Sequence, residues 1–186
     1  MTIARLVAPI CAVLLAVPVS AAQWQVVPAE SSIGFSSVWN NRAVEGRFER
    51  FQARINFDPD NLAQAMADVT IDLGSATTGD RTVNASLSGE DWFATRASPT
   101  ARFVSQSISQ TGPNQYLARG TLTLRGRSVP VELPFRLVIS GNQAVMQGQT
   151  RLDRRAFGIG MQSDAPGRWV AFPVPVTVRV TARRAG

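Results

Sequence analysis

The chain of 186 residues contains no histidine and no lysine, since all 19 of its basic residues are arginines, and its single cysteine is Cys11. Without histidine or a second cysteine it offers no Ser-His-Asp arrangement and no zinc site of the usual ligands. Without lysine it cannot form a Schiff base with a carbonyl substrate. Composition therefore excludes most classes of enzyme, and we expect no cofactor and no metal.

Carboxylate pairs are the catalytic chemistry that remains. Glu90 with Asp91, and Asp153, are candidates for the two acids of a glycosidase, but helix capping or solvent exposure explains each position. Asp58 and Asp60 resemble the start of a calcium loop, yet no glycine follows at its sixth position and no glutamate at its twelfth. We therefore predict a protein that is not an enzyme.

Residues 1–22 have the pattern of a secretory signal peptide. Arg5 precedes an apolar run from Leu6 to Val17, and small residues come before the expected cleavage site. The run is shorter than the roughly 20 residues of a membrane-spanning helix, although retention as an anchor is the alternative. We predict that Cys11 is removed with this segment and that a single domain, residues 23–186, works in the periplasm.

The mature chain carries a surplus of positive charge. Removing Arg5 from the 19 basic residues leaves 18 against 13 acidic residues, a formal charge of +5. Such a surplus is typical of proteins that meet phosphates, and secretion favours lipid head groups over nucleic acid. The alternative is that arginine solvates the outward strand faces. We expect a transient contact with a membrane surface and no binding of nucleic acid.

The clearest structural signal is an alternation of apolar and polar residues from Gly120 to Ile139. It predicts two antiparallel strands that turn at Gly126 and bury one face. Pro130 and Pro134 share the outward parity of the second strand. Because proline cannot donate to a ladder, that strand should lie at a sheet edge, a bulge or a barrel seam.

Short alternating segments occupy most of the mature chain. Between Val44 and Phe57 the apolar parity changes without a loop, which predicts a bend where a sheet curls toward closure. Residues 74–97 carry capping residues and two aromatics, so we expect a helical excursion over one end of the sheet. A further short strand is predicted at residues 168–172. Eight or more strands with few helices favour a closed barrel or a sandwich.

The inward rows of such a barrel determine what it can hold. Barrels of eight strands either fill their interior with side chains or hold one small ligand. Ala118, Gly120 and Gly148, together with the valines of the last strand, are small inward residues that favour an open tunnel. A tunnel of apolar carbon would accept a hydrocarbon chain, whereas a solid core is the alternative.

An ordered set of short motifs resembles the YceI-like family of secreted, lipocalin-like proteins. The set includes Ser32-x-Gly34-Phe35, Gly46-Arg47-Phe48-x-x-Phe51, Asp91-Trp92-Phe93, Gly120-Thr121-Leu122-Thr123-Leu124 and Arg155-x-Phe157-Gly158-Ile159-Gly160. The resemblance runs from Trp24 to about Arg179. It implies an all-β fold, an extended antiparallel lipocalin-like barrel of about eight strands with a short helical insertion. It also implies a periplasmic protein with an isoprenoid chain, such as that of a quinone or polyprenol, in an apolar tunnel.

The alternation of apolar and polar residues and the family resemblance together indicate candidate residues for a lipid site. The candidates for the apolar tunnel are Phe35, Phe48, Trp92, Phe93, Phe103, Tyr116, Leu122, Leu124, Val131, Leu133, Phe135, Met146, Phe157, Val176 and Val178. The candidates for a polar or phosphorylated head group are Arg81, Arg155 and Arg168, each of which equally fits a plain surface.

The leading interpretation is a carrier or sequestering protein for an isoprenoid lipid, acting as a monomer or homodimer. One alternative is a ligand-free stress-response or interaction module on the same fold, because fold alone does not determine function. Another is a small outer-membrane barrel. The single tyrosine and the Arg-Arg-Ala-Gly terminus, which lacks a final aromatic residue, count against the latter.

Overall fold

The computed structural model describes residues 22–39 and 42–185, so that the predicted signal peptide, with Cys11, lies outside the described residues except for Ala22. The strands in the described part are β1 (Gln23–Val26), β2 (Ser32–Trp39), β3 (Arg42–Phe48), β4 (Phe51–Asn56), β5 (Met66–Asp72), β6 (Ala76–Thr77), β7 (Thr100–Gly112), β8 (Gln115–Leu124), β9 (Arg127–Ser140), β10 (Gln143–Asp153) and β11 (Pro173–Arg184). The helix α1 spans Arg81–Ser88, and short 3₁₀ turns lie at Pro28–Glu30, Leu62–Gln64, Leu73–Ser75 and Arg154–Phe157.

Eight antiparallel strands close into a barrel. Their order is β1-β4-β5-β7-β8-β9-β10-β11, and β1 pairs back onto β11. Beyond a bend, β2 continues β1 along β11, β3 continues β4, and β6 continues β5. Three of the eight long strands are thus each made of two pieces. The predicted all-β antiparallel barrel with a short helical insertion is confirmed.

The bend between β3 and β4 confirms the prediction from the parity change. It falls at Glu49 and Arg50, and Ser75 holds it from the neighbouring bend between β5 and β6. The carbonyl of Ser75 accepts from the backbone nitrogen of Glu49 at 3.2 Å. Its hydroxyl accepts from the backbone nitrogen of Arg50 at 3.0 Å. The two bends are therefore coupled, and the barrel wall turns at both together.

The hairpin of β8 and β9 forms as the alternation predicts. Arg125 and Gly126 both have positive φ, 52° and 71°, which matches the twist of the flanking strands. Arg125 is held in this conformation because its guanidinium donates to backbone carbonyls of Glu90, at 2.7 Å, and Gly158. The turn is thereby fastened to two other segments of the chain.

The two prolines of β9 lie at a seam in the barrel wall, one of the three positions predicted for them. The ladder between β9 and β10 stops at the pair Phe135 and Gly148. From Arg127 to Pro134, β9 pairs with β8 alone. On its other side the carbonyl of Glu132 accepts from the Thr150 hydroxyl at 2.8 Å, which replaces a backbone hydrogen bond to β10. Pro130 and Pro134 share the parity of Glu132, so their nitrogens face this seam, where no ladder needs a donor.

The predicted strand at residues 168–172 is wrong. This segment belongs to a loop, residues 158–172, which we call the mouth loop. The backbone nitrogens of Arg168, Trp169 and Val170 donate to the carboxylate of Asp164, and the carbonyl of Val170 accepts from Arg154. The side chains of Asp164 and Arg154 therefore hydrogen-bond the backbone groups that, in a strand, would pair with a neighbouring strand.

The insertion between β6 and β7 begins with α1. The carboxylate of Asp80 accepts from the backbone nitrogens of Thr82 and Val83, at 2.7 and 3.2 Å, and so caps the helix. Val83 and Leu87, one turn apart, face the barrel interior. With eight residues α1 is short, and no helix in the described part of the chain has the length and apolar character to cross a bilayer.

Candidate functional site: an apolar cavity inside the barrel

The barrel encloses a cavity of about 430 Å³, which is within the ~300–1,000 Å³ range of small-molecule sites. It extends along β11 from Val174 to Val180, a distance of roughly 20 Å at ~3.4 Å per residue. Its wall is almost entirely apolar; the polar residues on it are Ser37, Thr78, Ser86, Thr150, Arg154 and Ser163. The space is long, narrow and hydrophobic.

One end of the interior is packed with aromatic side chains, and we call it the closed end. Tyr116 stands edge-on to Phe57, with ring centroids 5.3 Å apart, and stacks on Phe135 at 5.5 Å. The indole of Trp24 donates to the carbonyl of Phe57 at 2.9 Å, which satisfies its polar group in a buried position. These side chains pack against one another at this end of the interior.

The other end, the open end, is bordered by three separate pieces of chain. They are β2 and β3 with Ser37 and Val44, α1 with Val83, Ser86 and Leu87, and the mouth loop with Trp169 and Val170. Trp169 is 51% exposed although it also borders the cavity. A ligand in the cavity would meet solvent here.

Three phenylalanines line the wall toward the open end. Phe48 lies 5.4 Å from Phe35 and 5.7 Å from Phe93, and Phe35 meets Phe93 edge-on at 6.2 Å. The ring of Phe35 lies over Gly46, where any side chain would overlap it. Gly46 thus leaves room for the ring of Phe35 on the cavity wall.

Of the small inward residues predicted to open the tunnel, the valines of the last strand border the cavity, whereas Ala118, Gly120 and Gly148 do not. A side chain on Gly120 would collide with the ring of Phe103, and one on Gly148 would meet Leu133 and Phe135. Ala118 is buried in the closed end. Neighbouring large side chains therefore occupy the space above these residues. The cavity is bordered by rows of small and medium-sized residues, the predicted valines among them: Ala53, Ala67, Val69, Val131, Val174, Val176, Val178 and Val180.

The mouth loop is folded around a buried ion pair between Arg154 and Asp164, whose side chains are 2% and 1% exposed. The guanidinium donates to the Asp164 carboxylate at 2.9 Å and to carbonyls of Ile159, Asp164 and Val170 at 2.7 to 3.1 Å. Burial by itself raises the pKa of Asp164. Backbone hydrogen bonds and the charge of Arg154 outweigh burial and leave that pKa below its usual value.

A second carboxylate fastens the mouth loop to residues 89–99, the cap segment. Asp91 accepts from the backbone nitrogens of Gln162 and Ser163, at 3.0 and 2.8 Å, and from the Ser163 hydroxyl at 2.5 Å. Burial raises the pKa of Asp91, but these hydrogen bonds outweigh it and the pKa lies below its usual value. The cap segment carries Trp92 and Phe93, so Asp91 fixes two rings of the cavity wall to the loop.

Ser37 is the one polar group in the described part of the chain whose buried side-chain atom lacks a hydrogen-bond partner. Its parity on β2 is that of Ile33 and Phe35, and it borders the cavity near the open end. The neighbouring hydroxyls are satisfied, since Thr78 bonds to Asn84 and Ser86 donates to the carbonyl of Thr82. An unpaired buried hydroxyl is uncommon and requires an explanation.

Comparison with known proteins identifies the family. The model of the YceI-like domain matches residues 24–182. The chain belongs to the YceI-like family. The crystal structure of BcnA from Burkholderia cenocepacia is 32% identical and superimposes with a TM-score of 0.81, covering 84% of this chain and 99% of BcnA.

A further relative of this YceI-like chain and a further structural neighbour are more distant. A UPF0312 protein of Vibrio cholerae is 27% identical over 122 residues, which cover 62% of this chain and 65% of the relative, so the chain spans about two thirds of that protein's length. The structure of a polyisoprenoid binding domain from Saccharophagus degradans, implicated in plant cell wall breakdown, is 17% identical with a TM-score of 0.67. It covers 89% of this chain and 99% of that domain, and at this identity the likeness is one of fold.

The YceI-like barrel brings most of the predicted tunnel residues together. On the cavity wall are Phe35, Phe48, Trp92, Phe93, Phe103, Leu122, Leu124, Val131, Leu133, Met146, Phe157, Val176 and Val178. Tyr116 and Phe135 do not border the cavity, because they belong to the closed end. A role of the wall residues in ligand binding stays a prediction.

The three arginines predicted for a head group do not border the cavity. Arg81 is exposed as the first residue of α1. Arg155 pairs with Asp153 at 2.5 Å and lies over the ring of Phe172. Arg168 is also exposed, and its backbone nitrogen donates to Asp164. The sequence prediction missed Arg154, which does border the cavity. Arg154 has the same parity as Met146, Thr150 and Leu152 of β10, and this alternation would have indicated that its side chain faces inward.

Proposed function

We propose that this YceI-like protein is a periplasmic binding protein that holds one isoprenoid lipid in the barrel cavity and carries or sequesters it without changing it chemically. The observation that carries the proposal is the apolar cavity of about 430 Å³. Removing apolar surface from water contributes ~25 cal/mol per Å², so a hydrocarbon chain is the ligand that gains most from this wall. The description of the Saccharophagus degradans domain as polyisoprenoid binding supports the same ligand class.

The cavity favours a lipid with a neutral head group. Arg154 is the one charged residue on its described wall, and its guanidinium is already bonded to Asp164 and to several carbonyls. A phosphate in the cavity would lose its hydration without gaining a free cation, which is costly. Among isoprenoid lipids, a quinone or a polyprenol therefore fits better than a polyprenyl phosphate.

Ser37 offers the hydrogen bond that such a head needs. Its hydroxyl is buried, unpaired and on the cavity wall near the open end. A quinone carbonyl would accept from it, and a polyprenol hydroxyl would either donate or accept. This arrangement orients the ligand with its tail toward the closed end and its head toward Ser37.

Two alternative functions are less well supported. A ligand-free module with a filled core does not account for the cavity. A barrel that spans the outer membrane would turn an apolar band to lipid. Here the outward row of β4, β5 and β7 carries the ion-paired Arg54, Asp68 and Arg102. Purification without detergent distinguishes the binding protein from a membrane barrel.

Lipid extraction tests the proposal directly. The full chain is expressed in a Gram-negative host, purified from the periplasm without detergent, extracted with organic solvent and analysed by mass spectrometry. We expect an isoprenoid quinone or alcohol at close to one molecule per protein. Protein that is empty in every preparation, or that carries only ordinary phospholipid, contradicts the proposal. Recovery from the cytoplasm instead of the periplasm contradicts the location.

A further inference from the structure

A second candidate site lies on the outside of the barrel. One row of side chains crosses five neighbouring strands in register: Gln115 of β8, Arg136 of β9, Gln147 of β10, Arg179 of β11 and Ser32 of β2. All five side chains are exposed. They line a groove on the barrel surface together with Thr111, Pro134, Gln149 and Thr177. At its base the groove also touches Tyr116, Phe135, Gly148 and Val178, which have inward parity.

Both arginines of this groove lack a carboxylate partner. Among the ion pairs of the described residues, neither Arg136 nor Arg179 takes part. The nearest acid along β9, Glu132, is held by Arg119 at 2.8 Å. The groove lining contains no acidic residue. Two positive charges therefore lie in one groove, and within the described part of the chain no carboxylate forms an ion pair with either of them.

The opposite wall of the barrel shows the usual arrangement. On β4, β5 and β7 the carboxylate of Asp68 accepts from Arg54 at 2.6 Å and from Arg102 at 2.9 Å. These hydrogen bonds hold the pKa of Asp68 well below its usual range, and the bonds from Arg102 contribute most to this shift. Two arginines on the flanking strands, Arg54 in register with Asp68 and Arg102 two residues away from it, thus converge on an anion of the protein itself. The groove has two cations on flanking strands but no such anion.

The groove chemistry indicates the missing anion. Arg136 and Arg179 are two strand spacings apart, about 10 Å, with the amide of Gln147 between them. Guanidinium groups form paired hydrogen bonds with phosphate oxygens. Gln115, Gln149 and Thr177 add neutral donors around them. We infer that this groove binds a phosphate group, as a phosphate ester or a diphosphate, at a site separate from the lipid cavity.

The test compares two double variants of equal charge. R136Q/R179Q removes both cations of the groove. R50Q/R96Q removes two exposed arginines elsewhere, Arg50 at the bend before β4 and Arg96 in the cap segment. Binding of inorganic pyrophosphate is measured by calorimetry, and binding to vesicles of phosphatidylcholine with phosphatidylglycerol by co-sedimentation. An apolar fluorescent probe reports on the cavity in each variant.

We expect R136Q/R179Q to lose at least about tenfold in affinity, since hydrogen bonds to charged groups are strong, while R50Q/R96Q stays near wild type. Loss of pyrophosphate binding identifies a soluble phosphate as the source. Loss confined to the vesicles identifies a lipid head group. Equal losses in the two variants, or a wild type that binds neither probe, overturns the inference. The cavity probe should bind all three proteins alike, so failure of the groove and failure of the lipid proposal are distinguishable.

Discussion

The two ends of the barrel interior are built from the same alternating strands but reach opposite states. At the closed end Trp24, Phe57, Tyr116 and Phe135 fill the space in mutual contact. At the open end the wall carries aromatic rings as well, yet a cavity remains between them. Residue size alone therefore does not decide whether an eight-stranded barrel is filled.

The difference lies in how the strands pair at each end. At the closed end β1 bridges β11 and β4, so the ring of strands is complete. Toward the open end the ladder between β9 and β10 stops at Phe135 and Gly148, and β10 continues with β11 alone. Where the ring is complete, facing side chains meet across a narrow space. Where the ladder is interrupted, α1, the cap segment and the mouth loop border the interior.

The largest effect is expected from the buried ion pair between Arg154 and Asp164, around which the mouth loop is folded. R154A leaves Asp164 buried without its partner, and breaking a buried pair in this way costs about 3–5 kcal/mol. Urea unfolding measures the loss. The neighbouring R155A removes an exposed pair and serves as the matched control, with an unfolding free energy close to wild type. Equal effects of the two substitutions would show that the mouth loop is not organised by Arg154.

Filling the cavity should remove binding without unfolding the protein. Ala53 borders the cavity, so A53W directs an indole into the existing space. We expect binding of an apolar fluorescent probe to weaken at least about tenfold, or roughly 1.4 kcal/mol. Q52W, one residue away on the outward face of β4, adds the same side chain outside the barrel. Unchanged probe binding by A53W would place the ligand elsewhere.

Removing the unpaired hydroxyl should have a smaller effect that depends on the ligand. S37A should weaken binding of an isoprenoid quinone by about 0.5–1.5 kcal/mol, the usual contribution of one hydrogen bond. A hydrocarbon without a head group should bind the two proteins equally. Competition against the fluorescent probe measures both affinities. Equal losses for the two ligands would mean that Ser37 acts through packing and not through its hydroxyl.

The smallest effect concerns pH. Asp91 and Asp164 have pKa values below their usual range in the folded protein, so their stabilisation of the open end is complete above the unfolded-state value of about 3.9. It is lost as the pH falls from that value toward the folded pKa. The chain has no histidine, so no switch is expected between pH 5 and 8. Probe binding should stay constant down to about pH 4; a transition near pH 6 would contradict this account.

The alternation of residues predicted the barrel because the two faces of a strand meet different surroundings. Gly120 to Ile139 reads as a hairpin from its period of two alone, and the parity change before Phe57 marks a bend that the structure contains. Parity also distinguishes two neighbouring arginines. Arg154 has inward parity on β10 and Arg155 has outward parity, so alternation favours Arg154, and not the head-group candidate Arg155, for the interior.

Sequence by itself therefore determined most of the β-strands, their inward rows, and an ordered set of motifs typical of the YceI-like family, because local alternation and spacing are properties of single strands. Tertiary structure alone decided which part of an inward row faces empty space. Tyr116 and Leu122 share a face of β8, yet the first belongs to the closed end and the second to the cavity wall. The same holds for Gly120, whose space is taken by Phe103 from the adjacent strand. Space inside a barrel depends on strand stagger and closure, which arise only when distant segments pair.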